Sequence, residues 1–367
     1  MTPGLPPAPP AIVQPGPYEV SYGLVTGTVA RGTRRIVVRA GGRVLADRPL
    51  RGRHFTVRVD LPWREGTVAV TAVDESGRRA TASVGHVLGL PRTASPVLRV
   101  PREDARLAAQ VRRLAGAFPG TTAVYVEDLT SGNGAAWNAR AQLPAASTLK
   151  LAIAVAVLER TDGIPAPGSD HDRLLRQMLV VSDNEAANAV EIWLAGSTSA
   201  GGHAVTDLMA SLGLDDTVMY GGYMRELASR QIPLRVDDQP RWGSGKRTSA
   251  RDLAGLLRDV WLASAGRGPL RAHAPGLTPD DARYLLYLLA HVRDPGKIDR
   301  ELGELPGVRV LHKAGWINAA RHDNGLVFWR GGVFVVSVMT YRIGGAGVSS
   351  DVLAGRVARV AHSRFTH

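Results

Sequence analysis

The chain runs to 367 residues with 41 Gly, 23 Pro and a formal charge of +12, long enough for two domains and a substantial core. It has no cysteine, which excludes disulfides, thiol nucleophiles and Cys-ligated zinc. Its ten histidines stand singly, and its basic residues never form a block of five or six, so the charge reads as an even arginine-rich surface rather than a metal site or a nucleic-acid footprint.

Residues 1–17 hold seven prolines and lack the basic and apolar regions of a secretory signal, so a disordered Pro-rich leader is expected. From Tyr18 to Gly89 apolar and polar residues alternate, as in Arg35-Ile36-Val37-Val38-Arg39 and Phe55-Thr56-Val57-Arg58-Val59. Gly41-Gly42 between two such runs signals a hairpin. About seven short strands fit a small all-β sandwich. A Pro-rich linker at 90–101 separates it from a second domain at 102–367.

That domain opens with an amphipathic helix over 102–118, carrying Leu107, Val111 and Leu114 on one face. Strands follow at 123–128 and 134–138, and helical pattern dominates from Ser147 to Leu288. A strand is expected to start at Lys313, with further strands at 324–329 and 332–340 and a last helix over 351–363. The fold class is therefore α+β: an antiparallel sheet built from both ends of the domain, plus a helical subdomain. The longest apolar run, Leu151 to Leu158, is far below the ~20 residues a bilayer needs, so no integral membrane segment is expected.

Chemistry enters through lysine. The chain has four lysines, Lys150, Lys246, Lys297 and Lys313, against 41 arginines. Two lie in short strings: Ser147-Thr148-Leu149-Lys150 and Lys313-Ala314-Gly315, with Ser182-Asp183-Asn184 between them. S-x-x-K is expected roughly 0.2 times by chance and S-D-N about 0.02 times, so the ordered set carries weight that no member has alone. Arginine does not release its proton near neutral pH, so lysine at these positions points to proton transfer.

Ser147 precedes a strong helical run, where unpaired N–H groups favour a developing oxyanion. Lys150, one turn on and flanked by Leu149, Leu151 and Ile153, would be poorly hydrated, and a lowered pKa makes it a base toward the Ser147 hydroxyl. Ser182 sits between two helices, where its hydroxyl can relay a proton to a leaving nitrogen. Asn184 offers an amide to a substrate carbonyl or to Lys150, and Asp183 reads as a helix cap. Lys313 supplies charge for a substrate carboxylate, Gly315 permits close backbone approach, and the N–H groups of Ser147 and Trp316 form an oxyanion hole on an edge strand. Gly243-Ser244-Gly245-Lys246-Arg247 lacks the spacing of a phosphate loop and reads as a flexible loop before a helix capped by Thr248 or Ser249. Trp242, Trp261 and Trp329 read as packing residues, and His322-Asp323 as a surface pair.

The second domain resembles the penicillin-recognising serine hydrolases, class A β-lactamases most of all. Ser182-Asp183-Asn184-Glu185-Ala186-Ala187-Asn188 is similar to that class's S-D-N-x-A-A-N pattern, and Ala319 to Gly325 to the segment after its K-T-G motif. The resemblance implies an acyl-enzyme on Ser147, opening the amide of a β-lactam or of a peptidoglycan-derived peptide. It also implies no cofactor, no nucleic-acid partner, a monomer and an extracytoplasmic location. A catalytically silent cell-wall-binding relative is the remaining alternative. Three departures accompany it: Ala314 replaces the usual Thr or Ser, the interval from Ser147 to Ser182 is short, and the deacylating glutamate before Pro233 has Glu226 as its candidate, without the E-x-x-L-N pattern. The β-rich segment at 18–89 resembles the immunoglobulin-like modules attached to bacterial extracytoplasmic proteins.

Overall fold

The computed structural model describes residues 8–224, 239–240, 242, 245–294 and 296–367. The chain divides into two compact units, Met1–Ser95 and Pro96–His367.

In the first unit, β1 (Ala11–Gln14), β2 (Glu19–Ser21), β3 (Leu24–Thr28), β4 (Thr33–Ala40), β5 (Arg43–Pro49), β6 (His54–Arg58), β7 (Glu65–Asp74) and β8 (Arg79–Gly89) form two sheets, ordered β1-β3-β6 and β2-β8-β7-β4-β5. Inward residues of both, among them Val25, Phe55, Ile36, Val38 and Val70, share one buried cluster. Gly41 and Gly42 join β4 to β5 with φ of 57° and 77°, a backbone that disfavours side chains and suits the twist of a two-residue hairpin. Ala11–Gln14 corrects the expectation of a leader disordered to residue 17. The segment pairs with β3 as an edge strand, a position where neighbouring prolines cost no ladder hydrogen bond.

The second unit is built on a six-stranded sheet. It uses β9 (Arg102–Glu103), β10 (Thr121–Asp128), β11 (Asn133–Trp137), β14 (Val308–Ile317), β15 (Ala320–Trp329) and β16 (Gly332–Tyr341), with a separate pair, β12 (Leu143–Pro144) and β13 (Arg247–Thr248). The order is β14-β15-β16-β10-β11-β9, so the two ends of the unit meet where β10 pairs with β16. On one face α1 (Ala105–Gly116), capped by Asp104, packs with the terminal helix: Leu107 and Val111 join Val124, Val126, Val336, Leu353 and Val357 in one core. The other α-helices among the described residues are α2 (Lys150–Arg160), α3 (Asp170–Val180), α4 (Asn184–Ala195), α5 (Thr198–Ser211), α6 (Ala250–Ala263), α7 (Leu270–His273) and α8 (Pro279–Leu289), before the terminal α9 (Gly347–Phe365). Ser249 caps α6, and α6 packs on β10, β15 and β16. No described helix is long and apolar enough to cross a membrane.

Two local expectations change. Lys313-Ala314-Gly315 lies inside β14 rather than at its start, because pairing with β15 already begins at Val308; polar Arg309 and His312 had masked the strand. His322 and Asp323 are buried, not a surface pair. They sit on β15, an interior strand covered on both faces. There the His322 Nε2 lies 2.6 Å from the Pro144 carbonyl, and Asp323 accepts from the Ile298 N–H and faces His312. Trp261 and Trp329 are buried, and Trp242 donates to the Gln142 carbonyl at 3.0 Å.

Candidate active site

From Leu151 to Leu158 helix α2 is apolar on every side, and each residue from Lys150 to Leu158 is buried, so it occupies the centre of the helical half. Ala146–Leu149 form a 3-10 turn that runs straight into it, which sets Ser147, half-buried, at the helix entrance. Ala146 holds φ at +48°, a left-handed backbone that alanine adopts only under constraint. Strand β14 closes on this turn. A Cβ at Gly315 would lie 2.6 Å from the Ser147 nitrogen and 2.7 Å from that of Thr148, so a side chain is sterically excluded there. Gly315→Ala is expected to cost about 1–3 kcal/mol of stability, because backbone must move, and, on the serine-acylation reading proposed below, to slow labelling at least tenfold. Labelling rate and thermal unfolding check it.

Ser182 lies where α3 ends and α4 begins, itself at φ +61°. Asp183 caps α4, accepting from the Ala186 N–H at 2.7 Å. The Lys150 ammonium donates to Asn184 Oδ1 at 2.7 Å, to the Ser182 carbonyl, and at 3.4 Å to Ser182 Oγ. From β14, the Lys313 ammonium donates to Ser182 Oγ and to the Ala314 carbonyl, both at 2.9 Å. The Ser182 hydroxyl thus lies between two ammonium groups carried by distant parts of the sequence. Among the described residues no hydrogen bond joins Lys150 to Ser147; its ammonium is held by the Asn184 amide and Ser182 carbonyl oxygens instead.

Both lysines are fully buried. Desolvation, then repulsion from Lys313, lowers Lys150 to about 7 against the opposing pull of Asp183 and Glu191. Desolvation lowers Lys313 to about 8, offset by Asp294 and Asp323. The sign follows. The neutral amine of Lys150 is lost as pH falls through about 7, and the Lys313 cation is lost as pH rises through about 8. On the serine-acylation reading proposed below, labelling by a fluorescent penicillin should therefore give a narrow bell with limbs near those values; a flat profile from pH 5 to 10 would contradict it.

Ala314 is buried and brings no hydroxyl, while Trp316 is 60% exposed on β14, an edge strand of the sheet. Asn184 contributes its amide oxygen to Lys150, as above. Glu226 and Pro233 lie outside the described residues, as do Gly243 and Ser244.

Three neighbours of the site had no role assigned from the sequence, although Asn188 ends the S-D-N-x-A-A-N match and Lys246 is one of the four lysines. Asn188 clamps the backbone of Tyr223, accepting its N–H at 2.6 Å and donating to its carbonyl at 3.1 Å. The Tyr223 hydroxyl donates to the Ala146 carbonyl at 3.1 Å. Its ring lies under Lys150 at 4.6 Å and Lys246 at 5.0 Å. The rarity of lysine was a signal for Lys246; nothing in the sequence marked Tyr223.

A sheet assembled from both ends of the second unit, with a helical half entered at a serine and a lysine, is the fold of the serine β-lactamases. The model of the β-lactamase enzyme family matches residues 106–163 and 170–365, and the chain belongs to that family. Among solved structures it is similar to PBP-A (TM-score 0.57, 21% identity, covering 74% of this chain and 99% of that one). It is also similar to a class A β-lactamase from Mycobacterium abscessus (0.54, 18%, 71% and 100%) and to a β-lactamase from Sphaerobacter thermophilus DSM 20745 (0.52, 22%, 72% and 98%). No curated protein matches the chain. At these identities the likeness speaks for the fold.

Proposed function

We propose that the chain is a serine hydrolase that opens the amide of a β-lactam through an ester on Ser147. The observation carrying this reading is the Ser182 hydroxyl held between Lys150 and Lys313, beside a serine at a helix entrance. In the proposed sequence neutral Lys150 takes the Ser147 proton while Ser147 Oγ adds to the carbonyl carbon. The N–H groups of Ser147 and Trp316 receive the oxyanion. The C–N bond then breaks, and the leaving nitrogen takes a proton from Ser182, whose hydroxyl is made more acidic by Lys313 and replenished from protonated Lys150. Water releases the acid and frees Ser147.

A second reading, acylation by a peptidoglycan-derived peptide with slow β-lactam release, is favoured by one observation: Ala314 lacks the hydroxyl that would bind a substrate carboxylate. We also propose that residues 18–89 form an immunoglobulin-like module and that the protein is a monomer acting outside the cytoplasm, whichever substrate it takes. Incubation with a penicillin, followed by intact mass over time, tests the proposal. A transient adduct supports β-lactam hydrolysis, a persistent one supports the second reading, and no adduct at any concentration overturns both.

A further inference from the structure

We infer that Tyr223 is a positioning residue for acylation: its ring holds the Lys150 ammonium and its hydroxyl fixes the Ala146 carbonyl, setting the base and the backbone of Ser147 together. The inference rests on the serine-acylation reading above and adds a residue to it. Its geometry is built in. The Tyr223 backbone is pinned in both directions by the buried Asn188, so the ring has little freedom to leave. Lys246 lies over the same ring and donates to the Gly222 carbonyl at 2.7 Å, tying down the residue before it.

Two consequences follow from elementary chemistry. An ammonium is attracted to an aromatic face and a neutral amine is not, so the ring stabilises Lys150 in the form it has after taking the Ser147 proton. The other groups acting on Lys150 are Lys313 from β14, Asp183 and Glu191 from α4, and the Ser182 and Asn184 oxygens. Burial and Glu191 hold the phenol well above its usual pKa, so Tyr223 keeps its proton and stays a neutral hydrogen-bond donor. Second, the hydrogen bond to Ala146 restrains a residue at positive φ whose peptide carries the Ser147 N–H, a proposed oxyanion donor.

Because the chain has four lysines, a sample with 13C at the lysine ε-carbons gives four resolvable methylene signals. In the wild type, two of them should be shifted upfield by the Tyr223 ring, and one of those should titrate near neutral pH. Tyr223→Leu should abolish the upfield shifts and move the Lys150 midpoint down by about half a unit, the size of a modest cation–π contact. Tyr223→Phe should retain shifts and midpoint but acylate several-fold more slowly, since only the bond to Ala146 is lost. Absence of upfield shifts in the wild type overturns the inference without any variant. An unmoved midpoint in folded Tyr223→Leu, or equal slowing of both variants with no titration change, also overturns it. The titration needs no substrate, so a protein that never reacts with penicillin would sink the enzymatic reading while leaving the Tyr223–Lys150 contact separately readable.

Discussion

Ser147→Ala is expected to lose the penicillin adduct, with acylation falling by a factor of roughly 10^4 or more. The prediction is sharp because neighbouring hydroxyls are committed elsewhere. Thr148 is buried and donates to the Ala145 carbonyl at 2.6 Å. Ser182 Oγ accepts from Lys313, and from Lys150 at longer range. Stability should stay within about 0.5 kcal/mol, as removing a half-buried hydroxyl leaves no cavity of consequence. Intact mass and a thermal melt on the same sample separate loss of chemistry from loss of fold. An adduct that persists in this variant, mapped to any other residue, would remove Ser147 from the mechanism.

The second large effect concerns Lys150. Lys150→Arg keeps a positive charge yet cannot release a proton near neutrality, so acylation should fall about 10^2 to 10^4-fold, the usual contribution of a general base. Lys150→Met, which keeps the volume of the stem, should fall as far. Their stability profiles should differ from the wild type in a defined direction. The folded pKa of Lys150, about 7, lies below its unfolded value of 10.5. Between those values the unfolded chain binds more protons, so wild-type stability gains as pH rises from about 7 toward 10.5. Lys150→Met should lose that gain. Wild-type acylation rates in the arginine variant would show that proton removal happens elsewhere.

Much of the second unit was legible because its signals are local. Hydrophobic alternation located β10, β11, β15 and β16 to within a few residues, and Ser249, Asp183 and Gly41-Gly42 act as their residue types dictate. Where the reading slipped, a nonlocal partner decided. Ala11–Gln14 becomes a strand only because β3 offers an edge, and the polar residues of β14 are tolerated because β15 satisfies the backbone beside them. His322-Asp323 looked solvated because charged residues usually are, yet Pro144, Ile298 and His312 supply their buried partners.

Residue types and spacing alone determined the chemical inventory of this protein: a serine one turn before an apolar-flanked lysine, a second serine between helices, and a lysine-glycine pair in a late strand. That is possible because helix periodicity and lysine's titratable amine act over a few residues. Only the tertiary structure decided how those groups meet. It set both amines on Ser182 rather than on Ser147, brought Gly315 against the Ser147 backbone, and slid a tyrosine under Lys150. Desolvation and cation–π contact depend on what surrounds a group in space, and its neighbours along the chain do not specify them.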